Sequence, residues 1–221
     1  MSVSLKKMIR NAVNLTGYDI RKIRNKAFSA QYTDDQFFNT HGLTKIQYAC
    51  GPKFLKDWVN VDFYAPDAMK ERYGMTVEYN YYQADLSLRQ PFKDNLYSYA
   101  FAEDFIEHLS QAASLIFLHE CYRVLAQGGI LRLSFPSLEG VLRRHFSSSD
   151  MKDLMQGRKD AYEQFEHLHF YSREEIILVA KHIGFSDIHF TSFGDSDHAE
   201  LKGLETREGQ QDLNIYTELT K

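Results

Sequence analysis

Short apolar runs that end at a glycine or an acidic residue alternate with segments of helical periodicity along most of the chain. The predicted strands are residues 45–50, 58–63, 76–82, 97–102, 130–135, 187–193 and 213–219. The predicted helices are residues 65–73, a helix that starts after Ser110 and ends at Gly128-Gly129, parts of 137–165, and a helix from Ser172 to Gly184. This alternation indicates a parallel sheet with helices on both faces. The last two strands are joined only by a loop, which indicates one antiparallel strand near the end.

Two local features of the predicted fold depend on spacing. The helix after Ser110 is expected to bury Leu115, Leu118, Tyr122 and Leu125, which recur at helical intervals. Few residues separate the first two strands, so the crossover between them has room only for a single helical turn. Parallel connections usually need a dozen residues or more, and this one is therefore unusually short.

The first two strands carry the clearest sign of a ligand site. The first strand breaks at Gly51, where the missing Cβ lets backbone approach a ligand, and the second ends at Asp62. Ligands of open parallel sheets bind beyond the carboxyl ends of the strands, where an acid accepts hydrogen bonds from ribose hydroxyls. These residues indicate a nucleoside-type cofactor, and an ordinary turn followed by a surface aspartate is the alternative.

Charge is divided unevenly along the chain. The net charge is −4, but residues 1–30 hold seven basic residues and one acid, which gives +6 there and leaves −10 for the remainder. An acidic body argues against nucleic acid as a partner. Residues 1–40 are predicted to form a basic helical arm and linker, and residues 41–221 the main domain. The arm, residues 3–28, either contacts an anionic membrane surface or an acidic partner, or packs on its own domain as a leading helix.

The cysteines and the hydropathy pattern indicate a reducing compartment, which we take to be the cytoplasm. Cys50 and Cys121 form neither a disulfide framework nor a metal-ligand spacing, and both lie in apolar segments that are typical of buried thiols. No apolar run approaches the length of a membrane span, and the N-terminus lacks the apolar block of a secretory signal. The pattern does not indicate an oligomeric state.

Three segments resemble the class I S-adenosylmethionine-dependent methyltransferases, over about residues 45–220. They are Tyr48-Ala49-Cys50-Gly51-Pro52 with Trp58-Val59-Asn60-Val61-Asp62, Glu107-His108-Leu109 with Glu120-Cys121-Tyr122-Arg123-Val124-Leu125 and Gly128-Gly129, and Gly184-Phe185 before the two final strands. The resemblance implies a Rossmann-like, doubly wound α/β fold with seven mostly parallel strands and an antiparallel last strand. It also implies S-adenosylmethionine as the cofactor.

The same resemblance implies roles for individual residues. The residues that it brings to the cofactor are Ala49, Cys50, Gly51, Asp62, Asp85, Leu86 and Glu103. Backbone of Cys50 and Gly51 would lie near the methionine part, and Asp62 would hold the ribose. Asp85 and Leu86 would flank the adenine. Glu103 would lie near the cofactor and the entrance to the substrate pocket.

Two features of the cofactor loop bear on this interpretation. After Gly51 the next glycine is Gly74, whereas a nicotinamide dinucleotide needs several glycines to approach its pyrophosphate, so the methyl donor is favoured. Ala49 stands where the family usually has glycine, and its methyl group either points away from the cofactor or narrows the loop. A cofactor-binding protein without turnover therefore stays open as an alternative, as does an interaction module recruited by the basic arm.

The acceptor side offers histidines as candidate catalytic residues. Methyl transfer from a sulfonium needs a positioned nucleophile, and a hydroxyl acceptor can also need a base near neutral pH. The candidates are His108, just past the fourth strand, and His167 and His169, before the helix capped by Ser172; structural or solvent-facing histidines are the alternative. A small molecule or glycan substrate is expected from the resemblance.

No metal is expected, because the acids and histidine of residues 195–205 match neither a tetrahedral nor a calcium-loop spacing, and a solvated loop or a lid is favoured there.

Overall fold

The computed structural model describes residues 37–221. The basic arm predicted for residues 3–28 and most of the predicted linker lie outside the described residues. Within the described part of the chain, no helix has both the length and the apolar character that crossing a membrane requires.

The described residues form one seven-stranded sheet. Its strands are β1 (Lys45–Tyr48), β2 (Val59–Asp62), β3 (Tyr81–Gln83), β4 (Tyr97–Glu103), β5 (Leu125–Pro136), β6 (Asp187–Phe190) and β7 (Asn214–Thr220), in the spatial order β3-β2-β1-β4-β5-β7-β6. The first five strands pair in parallel, and β7 pairs antiparallel with both β5 and β6. The predicted α/β fold with an antiparallel last strand is confirmed.

In the described residues, α-helices lie in the connections from β2 to β3, from β4 to β5 and from β5 to β6. They are α1 (Pro66–Tyr73), α2 (Gln111–Val124), α3 (Leu138–His145), α4 (Met151–Arg158) and α5 (Arg173–Ile183), with a 3-10 turn at Ile106–His108 and a π-helical turn at Lys159–Glu163. The predicted ends of three helices are confirmed. The side chains of Ser110 and Ser172 accept hydrogen bonds from backbone N–H groups of the first turns, and Gly74 ends α1 in the left-handed conformation.

The predicted helix after Ser110 was too long, and Leu115 was wrongly assigned to its buried face, whereas Leu118 and Leu125 are buried and Tyr122 packs against the core as predicted. The helix ends at Val124, and Leu125 is already extended and pairs with Tyr97 in the sheet. Leu115 is 40% exposed. The helical residues that pack into the core are Phe117, Leu118, Cys121 and Val124. The apolar run continues through the end of the helix, and in such a run a buried helix and a buried strand have the same pattern. The sequence therefore did not show where the helix ends.

The connection between the first two strands contains no helix. Residues 49–58, all of them described, form only turns, although β1 and β2 are parallel with Ile46 opposite Val59. The sheet surface near this connection is covered instead by the long segment between β6 and β7, residues 191–213, which we call the cover loop. Its Leu201 packs in one cluster with Trp58 and Phe101. The expected single helical turn is therefore absent, and a distant loop provides the burial.

Candidate active site

The turn after β1 is shaped by left-handed backbone and by the carboxylate of β2. Ala49 and Gly51 have φ angles of 50° and 51°. The Gly51 N–H donates to Oδ2 of Asp62 at 2.8 Å, and the Phe63 N–H donates to Oδ1 at 2.7 Å. The Asp62 carboxylate is thus fixed at the carboxyl end of its strand. Oδ1 also accepts a long hydrogen bond from the Tyr64 N–H at 3.4 Å, whereas Oδ2 keeps a second lone pair with which it can accept a ligand hydroxyl.

Ala49 lies in a conformation that glycine adopts without strain. For other residues the left-handed region costs about 1–2 kcal/mol, which gives a physical reason for glycine at this position in related sequences. The Ala49 methyl group packs against the main hydrophobic core. The thiol of Cys50 is buried, and burial raises its pKa well above the usual range, so it is an inert neighbour of Asp62.

The acid after β3 lies close to the end of β2. The Ala84 N–H donates to the Asp62 carbonyl at 2.9 Å, so the backbone just before Asp85 is joined to the ribose-binding candidate. Oδ1 of Asp85 accepts from the N–H of Ser87 at 3.0 Å and from its hydroxyl at 2.5 Å. Leu86 is buried in the core. Asp62 and Asp85 therefore share one edge of the sheet, as the topology requires of residues that bind one nucleoside.

Glu103, at the end of β4, is held by the cover loop. Its carboxylate accepts from the N–H and the hydroxyl of Thr206, both at 2.8 Å, and from the Arg207 N–H at 3.3 Å. Lys53, in the turn after β1, also donates to the Thr206 hydroxyl. The cover loop therefore joins the ends of β1 and β4 across the region where the cofactor is expected.

A cavity of about 410 Å³ opens beside the ends of β4 and β5. Its polar and aromatic lining comes from the residue after β4, the 3-10 turn, α3, the π-helical turn with the segment that follows it, and the cover loop. The lining includes Asp104, Glu107, His108, Arg144, His145, Asp160, Gln164, Phe165, His167, Phe170 and Arg207. Two of the three predicted catalytic histidines, His108 and His167, are thus brought to one cavity. His169 is not among its described lining residues, and its Nε2 lies 2.9 Å from Oε1 of Glu175 at the start of α5.

Burial sets the protonation of the groups at the base of this cavity. It raises the pKa of the Asp104 carboxyl to about 6, although the Arg207 guanidinium, 2.8 Å away, opposes the rise. It raises the pKa of the Glu107 carboxyl far above its usual range, to which the nearby Asp104 also contributes. It lowers the pKa of His108 to about 4 and lowers the pKa of His167 in the same direction. Both imidazoles are therefore neutral at neutral pH.

Asp104, Glu107 and Arg207 were not predicted as site residues. The two acids stand in the run from Glu103 to His108, where their spacing alone does not distinguish a cavity wall from a helix start. Arg207 belongs to a polar loop without periodicity, and it reaches Asp104 only because the cover loop folds back over the sheet. A count of ionisable residues directly after the fourth strand was the available signal for the two acids.

Known proteins match the chain at two levels. A family model described as a methyltransferase domain matches residues 42–133, which hold every predicted cofactor-binding residue and His108. No curated protein sequence matches the chain.

Several solved structures are also similar to this chain. A methyltransferase dependent on S-adenosylmethionine from Mesorhizobium loti has a TM-score of 0.55 at 13% identity, over 81% of this chain and 91% of that chain. One from Thermotoga maritima has a TM-score of 0.52 at 17% identity, over 80% of this chain and 81% of that one. A chain from the complex between the Haloferax volcanii Trm112 methyltransferase activator and a methyltransferase has a TM-score of 0.55 at 15% identity, over 81% and 82%. At these identities the likeness establishes the fold.

The strand order, the antiparallel β7 and the strand-end acids define the Rossmann-like methyltransferase fold. The family match over residues 42–133 and this fold together indicate a methyltransferase domain of the type that uses S-adenosylmethionine.

Proposed function

We propose that S-adenosylmethionine lies across the carboxyl ends of β1, β2 and β3. Asp62 accepts hydrogen bonds from the ribose hydroxyls, and Asp85 with Leu86 contacts the adenine. Backbone of the turn from Ala49 to Gly51 contacts the methionine part. The support is the fixed Asp62 carboxylate and its backbone connection to the residue before Asp85.

The methyl acceptor binds in the cavity beside β4. One observation carries this step: Glu103, expected beside the cofactor, is followed directly by Asp104, which lines the cavity. Donor and acceptor sites therefore share the end of one strand, as transfer between them requires. His108 and His167 contact the acceptor from the same cavity, whereas His169 is displaced towards α5 and holds Glu175.

The acceptor is a small hydroxylated molecule or a sugar of a glycan. The cavity volume of about 410 Å³ suits a ligand of this size. Its lining combines carboxylates, guanidinium groups and an amide with the rings of Phe165 and Phe170, which together offer hydrogen bonds to hydroxyl groups and apolar faces to a sugar ring. The net charge of −10 outside residues 1–30 disfavours nucleic acid as the acceptor. A cytoplasmic location stays a prediction.

The donor site is tested by calorimetry with S-adenosylmethionine and S-adenosylhomocysteine. Asp62→Ala is expected to weaken both, because hydrogen bonds to a charged group contribute about 1.5–3 kcal/mol, or roughly 10- to 150-fold in Kd. Asp67→Ala, an exposed acid in α1, is the matched control and should keep the affinity. Thermal melts of both variants monitor folding. An unchanged Kd in folded Asp62→Ala would refute the proposed ribose contact.

The acceptor class is tested by transfer of a radiolabelled methyl group from S-adenosylmethionine. The panel contains monosaccharides, nucleotide sugars, small alcohols and amines, beside duplex DNA, RNA and a protein mixture. Incorporation into a sugar or small alcohol supports the proposal. Incorporation confined to nucleic acid or protein would overturn it, while the assignment as a methyltransferase would stand.

A further inference from the structure

Three metal-binding side chains converge on the wall of the acceptor cavity. The carboxylate of Glu107 and one ring nitrogen each of His108 and His167 all lie within 4.8 Å of one another. The 3-10 turn after β4 carries the first two residues. The Glu107 carbonyl accepts from the Leu168 N–H at 2.7 Å, and this bond brings the segment with His167 against the turn.

His167 is oriented in the way that metal-ligating histidines are. Its Nδ1 lies 2.7 Å from the Ala161 carbonyl. A carbonyl only accepts, so Nδ1 carries the proton and donates, and the lone pair of the ring is on Nε2. A backbone carbonyl in this position fixes both the tautomer and the ring direction of a metal ligand. The ring centroids of His167 and His108 are 4.8 Å apart.

Glu107 is the second independent observation. Glu107 is 1% exposed, and its carboxyl atom Oε2 has no hydrogen-bond partner among the described residues. Oε1 of Glu107 lies 3.9 Å from Nε2 of His108, which is too long for a hydrogen bond. A buried carboxyl oxygen without a partner costs about 1–3 kcal/mol, and a bound cation would offset that cost.

We infer that Glu107, His108 and His167 bind one divalent transition-metal ion, of the zinc, manganese or iron(II) type. Two imidazole nitrogens and one carboxylate oxygen suit these ions, whereas magnesium and calcium prefer oxygen ligands alone. Donor atoms about 2.0–2.2 Å from a metal lie roughly 3–3.5 Å apart, so side-chain shifts of about 1 Å close the site. All three residues line the cavity, so the remaining coordination positions face the acceptor.

A metal here gives the two histidines a different role from that of a base. A ring nitrogen that binds a metal has its lone pair occupied and does not take up a proton from the acceptor. An acceptor hydroxyl bound to the ion would lose its proton more readily, because a coordinated metal lowers the pKa of a bound hydroxyl group. This last step rests on the proposed acceptor site, whereas metal binding itself does not.

Metal binding is measured on the full-length, tag-free protein after EDTA treatment and dialysis. Zn²⁺, Mn²⁺ and Co²⁺ are titrated by calorimetry, and bound metal is counted by mass spectrometry. We expect one equivalent of at least one of these ions. Glu107→Gln and His167→Ala should each weaken binding at least about tenfold, since loss of even an outer-shell partner costs 10- to 100-fold. Co²⁺ absorption should shift in both variants.

His169→Ala is the matched control, because His169 is two residues from His167 but pairs with Glu175 outside the cavity. It should bind metal as the wild type does. Glu107→Gln keeps the size of the buried side chain, so a folded variant is expected and a melting curve checks it. Substoichiometric binding in the wild type, or equal loss in His169→Ala and His167→Ala, would overturn the metal site. Neither result would affect S-adenosylmethionine binding, so the two proposals fail separately.

Discussion

Replacement of Arg132 by methionine is expected to release the cover loop from the sheet. Arg132 lies on β5 and is fully buried. Its Nε donates to Oε1 of Glu205 at 2.6 Å, and its Nη1 donates to Oε1 of Glu218 at 3.0 Å. The same guanidinium donates to the carbonyl oxygens of Ser192 and Asp195 in the cover loop. One side chain therefore connects β5 and β7 with two parts of the cover loop, its start at Ser192 and Asp195 and its later residue Glu205.

The size of the effect follows from the burial of the partners. The Glu205 side chain is fully buried, and that of Glu218 is 5% exposed. Removing one member of a buried ion pair leaves an uncompensated charge and destabilises a protein by about 3–5 kcal/mol. For a domain of this size each kcal/mol lowers Tm by about 2–4 °C, so Arg132→Met should lower Tm by roughly 6–20 °C.

Urea unfolding provides the measurement. Trp58 is the only tryptophan of the chain and packs with Leu201 of the cover loop, so its fluorescence reports loop release, while far-ultraviolet circular dichroism reports the sheet. Arg158→Met is the control. Arg158 and Glu163 form an exposed pair at 2.6 Å, and such pairs contribute about 0–1 kcal/mol.

A second variant separates charge from packing. In Arg132→Met/Glu205→Gln/Glu218→Gln the orphaned charges are gone, so most of the lost stability should return. A loss below about 1 kcal/mol in Arg132→Met would refute the reasoning. A triple variant as unstable as the single one would show that shape, not charge, holds the loop.

Substitutions between glycine and alanine give two further predictions. A Cβ on Gly157 would lie 1.9 Å from the His145 carbonyl oxygen. Gly157→Ala should therefore destabilise the protein by about 1–3 kcal/mol in urea unfolding and deform the cavity wall. Gly209→Ala is the control, because a Cβ there has open space around it, and it should change the stability by less than about 0.5 kcal/mol. Equal stabilities would contradict the contact. Ala49→Gly removes the strain of a left-handed alanine, about 1–2 kcal/mol, and loses the burial of one methyl group, about 0.8 kcal/mol. The Tm of this variant should therefore stay level or rise slightly. A loss of stability above about 1 kcal/mol would contradict the strain at Ala49.

Features with a local cause could be predicted from the sequence. The caps at Ser110 and Ser172 and the left-handed Gly74 follow from hydrogen bonds and backbone freedom within a few residues. The position of Asp62 at a strand end follows from one short apolar run. The strand order was not predicted, because local patterns do not order strands.

Features with a long-range cause could not be predicted. Nothing near His108 in the chain indicates that His167 will lie beside it, since the bond from Leu168 to the Glu107 carbonyl that joins them is a tertiary contact. The burial of Arg132 was likewise hidden, because its partner Glu205 belongs to a segment that reads as a solvated acidic loop. Polar loops are assigned by composition, which carries no information about what they cover.

The short connection between β1 and β2 leaves part of the sheet uncovered, and the long connection between β6 and β7, the cover loop, covers it. Because residues 49–58 form no helix, the sheet beside β1 would be exposed without the cover loop. The loop that fills this space also places two adjacent residues on two adjacent acids, Thr206 on Glu103 and Arg207 on Asp104. One of these acids is expected beside the methyl donor, and the other lines the acceptor cavity. Anchoring the loop through Arg132 would therefore also fix both sides of the proposed transfer, although Arg132 itself lies outside the cavity lining.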